Sequence, residues 1–150
     1  MKTVREWTEK DLAKIVFCER ACFSDPWTTE MIKSEFSRSD FYGLLIEDEG
    51  EILGYIYGTV LFEDAELMKI AVLPQYRGQG LACALTEGFI QGVKTRGGER
   101  IFLEVRASNL PALKLYQRHG FEKTRLRKRY YADGEDALEM KKELNIENEE

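Results

Sequence analysis

The chain has 150 residues, 43% of them hydrophobic and 33% charged, which suits one compact domain with one core and leaves little room for a second. No apolar run approaches the ~18 residues of a membrane span, and Met1-Lys2-Thr3-Val4-Arg5-Glu6 lacks the apolar centre of a secretory signal. The 27 Asp and Glu outnumber the 22 Lys and Arg for a net charge of -5, which disfavours a general nucleic-acid binder that works by neutralising phosphates.

A cytoplasmic protein is therefore expected, with neither a membrane nor a nucleic acid as partner. Three cysteines, an odd number, agree with a reducing compartment, and with one histidine no four-ligand zinc site is spelled out, so no metal is expected. Cys18, Cys22 and Cys83 read as small packing residues.

Thr8-Glu9-Lys10-Asp11 has the form of a helix start, and Leu12, Ile15, Val16, Cys18 and Cys22 follow at helical spacing. That helix should stop near Ser24-Asp25-Pro26, and a second begins around Trp27-Thr28-Thr29. Strand-like runs follow at Phe41 to Glu47, Ile52 to Phe62 and Ala65 to Leu73. Their separators are short enough for hairpins. After Pro74, Gly78-Gln79-Gly80 leads into a helix marked by Leu81, Leu85, Phe89 and Val93. A strand at Ile101 to Val105, a helix at about Leu110 to His119 and strands at about Phe121 to Tyr130 and Ala137 to Leu144 complete the pass. The strand, helix, strand run from Leu67 to Val105 is a candidate parallel crossover, so a mixed α/β sheet is predicted. One domain should span residues 1–144, with 145–150 an acidic, frayed tail. Its glutamates, Glu147, Glu149 and Glu150, supply three of the five net negative charges.

Two stretches carry chemistry. In the first, Gly78 and Gly80 stand at a strand-to-helix junction, where a tight turn gathers N–H groups at a helix amino terminus and forms an anion site for a phosphate or pyrophosphate. No Gly-Lys-Ser/Thr follows, so this is not a P-loop. Two glycines alone are equally consistent with a plain turn. In the second, Glu104 shares a strand face with Phe102 and Arg106, where an unpaired carboxylate is costly to bury. Taken alone, it is read more simply as half of a salt bridge or as part of a solvated strand face. Ser108 and Asn109 can cap the next helix, and Tyr116 falls on that helix's buried face.

With its flanking residues, Gln75-Tyr76-Arg77-Gly78-Gln79-Gly80 matches the Gln/Arg-x-x-Gly-x-Gly/Ala signature of the GCN5-related N-acetyltransferases, and the chain resembles that family. The resemblance implies their fold: a mixed, mostly antiparallel twisted sheet of about six or seven strands with about four helices, in which central parallel strands splay apart. It implies acetyl-coenzyme A as cosubstrate. The amides of Arg77, Gly78, Gln79, Gly80, Leu81 and Ala82 would hold its pyrophosphate, and main-chain groups of Ile70, Ala71 and Val72 would polarise the thioester carbonyl.

Leu103 to Asn109, Leu115-Tyr116-Gln117-Arg118-His119-Gly120-Phe121, Arg127 to Met140, and Glu19 to Thr28 are similar to the RimI-type ribosomal-protein-alanine acetyltransferases of bacteria. The Tyr130 to Ala137 block is also similar to catalytic subunits of eukaryotic amino-terminal acetyltransferases. Carried over, Glu104 is the general base and Tyr116 the general acid beside the coenzyme. Asn109 contacts the coenzyme, and Tyr130 and Tyr131 line the peptide groove with Trp27 and Arg106. The implied substrate is the amino-terminal alanine of a small-subunit ribosomal protein. For so basic a terminus, Asp133, Glu135 and Asp136 are the first acids to expect in the groove. Two alternatives stay open: a lysine or small-amine acetyltransferase of the same fold, and a coenzyme-binding module without turnover.

Overall fold

The computed structural model describes residues 1–144; the expected acidic tail lies outside the described residues. Its elements in chain order are β1 (Lys2–Glu6), a 3-10 turn (Glu9–Asp11), α1 (Leu12–Cys22), α2 (Thr29–Phe36), β2 (Phe41–Asp48), β3 (Glu51–Leu61) and β4 (Asp64–Val72). They continue with a 3-10 turn (Pro74–Tyr76), α3 (Leu81–Thr95), β5 (Arg100–Arg106), α4 (Leu110–Arg118), β6 (Glu122–Arg127) and β7 (Ala137–Glu143). The strands form one sheet in the order β1-β2-β3-β4-β5-β7-β6, antiparallel throughout except for the β4–β5 pair. The predicted meander and crossover are both present.

One strand has no counterpart in the sequence pattern. β1 is polar and mostly exposed, and it exists as an edge because it pairs with β2 from Lys2↔Asp48 to Glu6↔Leu44. Its Arg5 binds Glu47 at 2.9 Å and Asp11 at 2.8 Å. Asp11 in turn accepts from the N–H of Thr8 at 2.7 Å, so the expected cap at Thr8 opens a 3-10 turn before α1 begins. At the other end, β6 stops at Arg127, short of the predicted Tyr130, because the chain turns through Arg129 at φ 52° and Gly134 at φ 89°.

Alternating side chains of the sheet feed two cores. Leu44, Ile56, Leu67, Ile101, Leu103 and Met140 pack on one face beneath α3 and α4. Leu45, Tyr55, Tyr57 and Ala71 pack on the other beneath α1 and α2. Between the two central strands the register runs only through Asp64↔Arg100, Ala65↔Ile101 and Glu66↔Phe102. Beyond these pairs β4 continues to Val72 and β5 to Arg106 with no bond between them, so the sheet splits into a V.

Candidate active site

The V opens into a cleft of about 740 Å³, walled by Ile70–Val72, the amino end of α3 and the exposed side of α4. Which main-chain groups face it follows from strand alternation. Leu73 N–H donates to Leu53 O on β3 at 2.9 Å, whereas Val72 O turns away from β3 to accept from Arg77 Nε at 2.9 Å. Ile70 and Val72 therefore direct their peptide groups into the opening, and Ala71 directs its own toward β3.

At the mouth, Gly78 and Gly80 both hold φ 81°, a left-handed conformation that other side chains rarely adopt, and Gly80 caps the 15-residue α3. Arg77 N–H is taken by Pro74 O and Ala84 N–H by Gly80 O. Between them, the amides from Gly78 to Cys83 have no acceptor among the described residues. A Cβ on either glycine would meet nothing within 4 Å, so the space above them is open. Lys114 and Arg118 line the same cleft from α4. Free amides, a helix amino terminus and two cations fit a phosphorylated coenzyme. The cradle starts at Gly78 rather than at Arg77, whose side chain ties the loop to β4 and whose amide is already bonded. Gln79 lines a separate cleft with Lys2 and Tyr76. Asn109 lines the cleft at the split sheet and caps α4, its Oδ1 accepting from Ala112 N at 3.2 Å.

Across β5 lies a second cleft, of about 420 Å³, and it holds Glu104. The register Glu104↔Glu139↔Arg125, followed by Arg106↔Ala137↔Arg127, sets all six side chains on one face. Arg127 Nε lies 2.6 Å from Glu104 Oε2 in a charge contact without the alignment of a hydrogen bond, and its Nη2 is 3.6 Å from Glu139. Glu66 joins them from β4; burial pushes its carboxyl above the usual range, and Glu104 adds to that. The Tyr130 hydroxyl is likewise pushed up by the Glu104 carboxylate beside it.

Tyr130 and Tyr131 meet edge to face at 5.1 Å, and Arg106 lies over the Tyr131 ring at 4.1 Å. Asp133 and Glu135 bind Arg106 at 2.9 and 3.1 Å, while Asp136 accepts from Arg129 N at 2.9 Å. Those three acids are thus occupied in holding the β6–β7 loop. The acids that share a cleft with Glu104 are Asp40, Asp64, Glu66 and Glu139 instead.

Trp27 is half-buried on the loop between α1 and α2, 6.1 Å from Tyr57, with its N–H donated to Glu19 at 2.8 Å. Tyr116 is buried against Phe121 and is not among the residues lining the cleft at the split sheet, and burial pushes its hydroxyl up to about 12. Among the described residues no cluster of His, Cys, Asp and Glu has the make-up of a metal site, and no helix is long and apolar enough to cross a membrane.

The sequence pattern of the acetyltransferase (GNAT) family matches residues 10–121. The chain belongs to the GNAT family. It is an acetyl-CoA-dependent N-acetyltransferase, and the cleft at the split sheet is where the residues fit that coenzyme. The [ribosomal protein bS18]-alanine N-acetyltransferase of Escherichia coli (strain K12) is 33% identical over 143 residues, 93% of this chain and 96% of that one. A Bacillus subtilis (strain 168) protein provisionally given the same name is 37% identical over 145 residues, with the same two coverages. The crystal structure of the ribosomal-protein-S18-alanine N-acetyltransferase from Escherichia coli superposes with a TM-score of 0.89 at 32% identity, covering 99% of this chain and 98% of that one.

Within this GNAT sheet, sequence reasoning missed the partners. Arg127 and Glu139 lie in the Arg127 to Met140 stretch and Glu19 in the Glu19 to Thr28 stretch that carry the family resemblance, but none of the three is singled out there, and Lys69 lies unremarked in a strand-like run. A buried acid on an apolar helix face was the available signal for Glu19, which is 1% exposed.

Proposed function

We propose that this GNAT chain acetylates protein amino termini, with the amino-terminal alanine of ribosomal protein bS18 as substrate, in the cytoplasm and as a single catalytic domain over residues 1–144. The observation that carries this reading is the end-to-end similarity to an enzyme named for that reaction. Acetyl-CoA supplies an activated acetyl group as a thioester. The amides of Gly78 to Ala82 hold its pyrophosphate, aided by Asn109 and the cations of α4. The N–H groups of Ile70 and Val72 hold the carbonyl oxygen as negative charge develops on it.

Glu104 accepts the proton that the α-amine sheds as its nitrogen attacks the carbonyl carbon, directly or through a water. Tyr116 is assigned the proton donor to the departing sulfur by the family resemblance; burial keeps its hydroxyl protonated, and because its side chain stands behind the cleft lining, the hydroxyl has to reach the sulfur through that wall. An α-amine titrates near ~8 against ~10.4 for lysine, so little work is asked of the base at neutral pH. Tyr130, Tyr131, Trp27 and Arg106 wall the peptide groove. Asp40, Asp64 and Glu139 beside Glu104 are each paired with an arginine, so among the described residues Glu66 is the cleft acid left to favour a basic terminus.

The experiment is direct. The protein, acetyl-CoA and peptides beginning Ala-Arg are mixed, and the acetyl group is located by mass spectrometry, with α-blocked peptides and polyamines as comparison substrates. Acetylation of the α-amine alone is expected; modification confined to lysine or polyamine overturns the reading.

A further inference from the structure

Glu19 is a carboxylate buried inside a hydrophobic core, which is costly unless its oxygens are well served. It has three donors: Lys69 Nζ at 2.8 Å, Trp27 N at 2.8 Å and the Tyr55 hydroxyl. Burial pushes its carboxyl up, but these three together hold it below the usual carboxylate range. Lys69 reaches up from β4, and its ammonium also lies 4.7 Å from the Phe23 ring and 4.4 Å from the Trp27 ring. Both ends of the loop joining α1 to α2 therefore converge on one cation.

That loop borders the chemistry. Phe23 lines the coenzyme cleft beside Ile70 to Val72, and its neighbour Cys22 donates Sγ–H to Val72 O at 3.4 Å. A buried ion pair contributes little net stability compared with apolar residues of the same volume, yet it fixes one geometry. We propose that Lys69 and Glu19 are positioning residues for acetyl transfer, their ion pair setting the loop so that Phe23 walls the thioester end of the cleft and Trp27 walls the incoming peptide. This rests on the acetyl-transfer reading. The pyrophosphate cradle is made of main-chain amides at the amino end of α3, to which neither Glu19 nor Lys69 is bonded, so coenzyme affinity should be spared.

The test uses Lys69→Met, Lys69→Arg and the double variant Lys69→Met with Glu19→Gln, assayed on an Ala-Arg peptide. A mispositioned wall should cost about tenfold or more in kcat/KM for the peptide, with KM for acetyl-CoA changed less than about threefold. Lys69→Arg should recover most of the loss. The double variant leaves no unpaired buried charge, so it remains a fair test if the single variant fails to fold, and it should stay slow. A folded double variant within about twofold of the parent in kcat/KM overturns the proposal. Acrylamide quenching of tryptophan emission reads the loop without any assay, because Trp7 is buried and Trp27 is the accessible ring. Quenching should rise in Lys69→Met and in the double variant. If the parent binds acetyl-CoA but acetylates no peptide, the acetyl-transfer reading fails; unchanged quenching in the double variant overturns the loop-positioning itself.

Discussion

Glu104 on β5 and Arg127 on β6 stand 2.6 Å apart although an entire strand, β7, runs between theirs. The contact is possible because the β7 residue in register with Arg127 is Ala137, whose single methyl lets the guanidinium cross to the next strand. Arg127 there balances two carboxylates, Glu104 and Glu139. The base proposed for the reaction thus carries its counter-ion with it.

Removing that counter-ion should change the pH at which the enzyme works. In Arg127→Gln two negative charges face the amine site unbalanced, and they favour the ammonium form of a bound α-amine over the neutral nucleophile. The apparent pKa of kcat should rise by about half a unit to one unit, a modest shift because the pair is partly solvated. A pH–rate profile of parent and variant measures it, and an unmoved or acid-shifted profile contradicts the assignment.

Glu104→Gln keeps the shape of the side chain and removes its basicity. A positioned general base contributes about 10²–10⁴-fold; with a low-pKa α-amine the lower end is expected. Calorimetric affinity for acetyl-CoA should be unchanged, since Glu104 lies in the second cleft and not in the one walled by α3 and α4.

Gly80→Ala tests the other cleft. The backbone there sits at φ 81° with open space above it, so the substitution costs about 1 kcal/mol of local strain and places a methyl where the phosphate is proposed to lie. Weakened acetyl-CoA binding with kcat at saturation largely kept is the expected pattern, read from titration calorimetry and steady-state kinetics.

The contrast between these residues explains what was legible in the sequence. β2 to β4 are marked by apolar runs with short polar separators and β5 by apolar alternation, and all four form within a residue or two of the expected bounds. β1 carries no such pattern, because an exposed edge strand needs only a neighbour to pair with and the ion pairs of Arg5. Gly78, Gly80 and Glu104 announce themselves locally, as glycines at a junction and an acid on an apolar strand. Arg127, Glu139 and Lys69 do not, since each matters through a partner that only the assembled sheet brings near; Lys69 and Glu19 are 50 residues apart in the chain. Asp133, Glu135 and Asp136 were legible as acids but not as ties within their own loop.

Asp11 gives the fold a pH dependence of its own. Its carboxyl is held well below the usual range, chiefly by Arg5 and against the opposing pull of burial, with the Thr8 N–H and hydroxyl adding to the effect. A lowered folded-state pKa contributes stability that is complete above the ordinary carboxylate range and is lost as pH falls through that range toward the lowered value. Asp11→Asn should cost about 2 kcal/mol at pH 7, about 5 °C in Tm for a chain of this size. Thermal melts from pH 7 to pH 3 should show a shallower decline in the variant than in the parent; parallel declines would remove Asp11 as a contributor.

Tyr116 is the sharpest test of the proposed proton flow. Burial alone raises its hydroxyl to about 12, so it stays a proton donor across the whole range in which an α-amine becomes nucleophilic. Tyr116→Phe keeps the ring packed on Phe121 and deletes only the hydroxyl, so the melting temperature should hold. Without a donor, the departing sulfur leaves as an unprotonated thiolate, and kcat should fall by about 10²-fold. The loss should be smaller with a thioester whose thiol is more acidic than that of coenzyme A, because a better leaving group needs less help. Single-turnover rates with the two donors measure that difference. A loss of equal size for both would assign Tyr116 to binding rather than to acid catalysis.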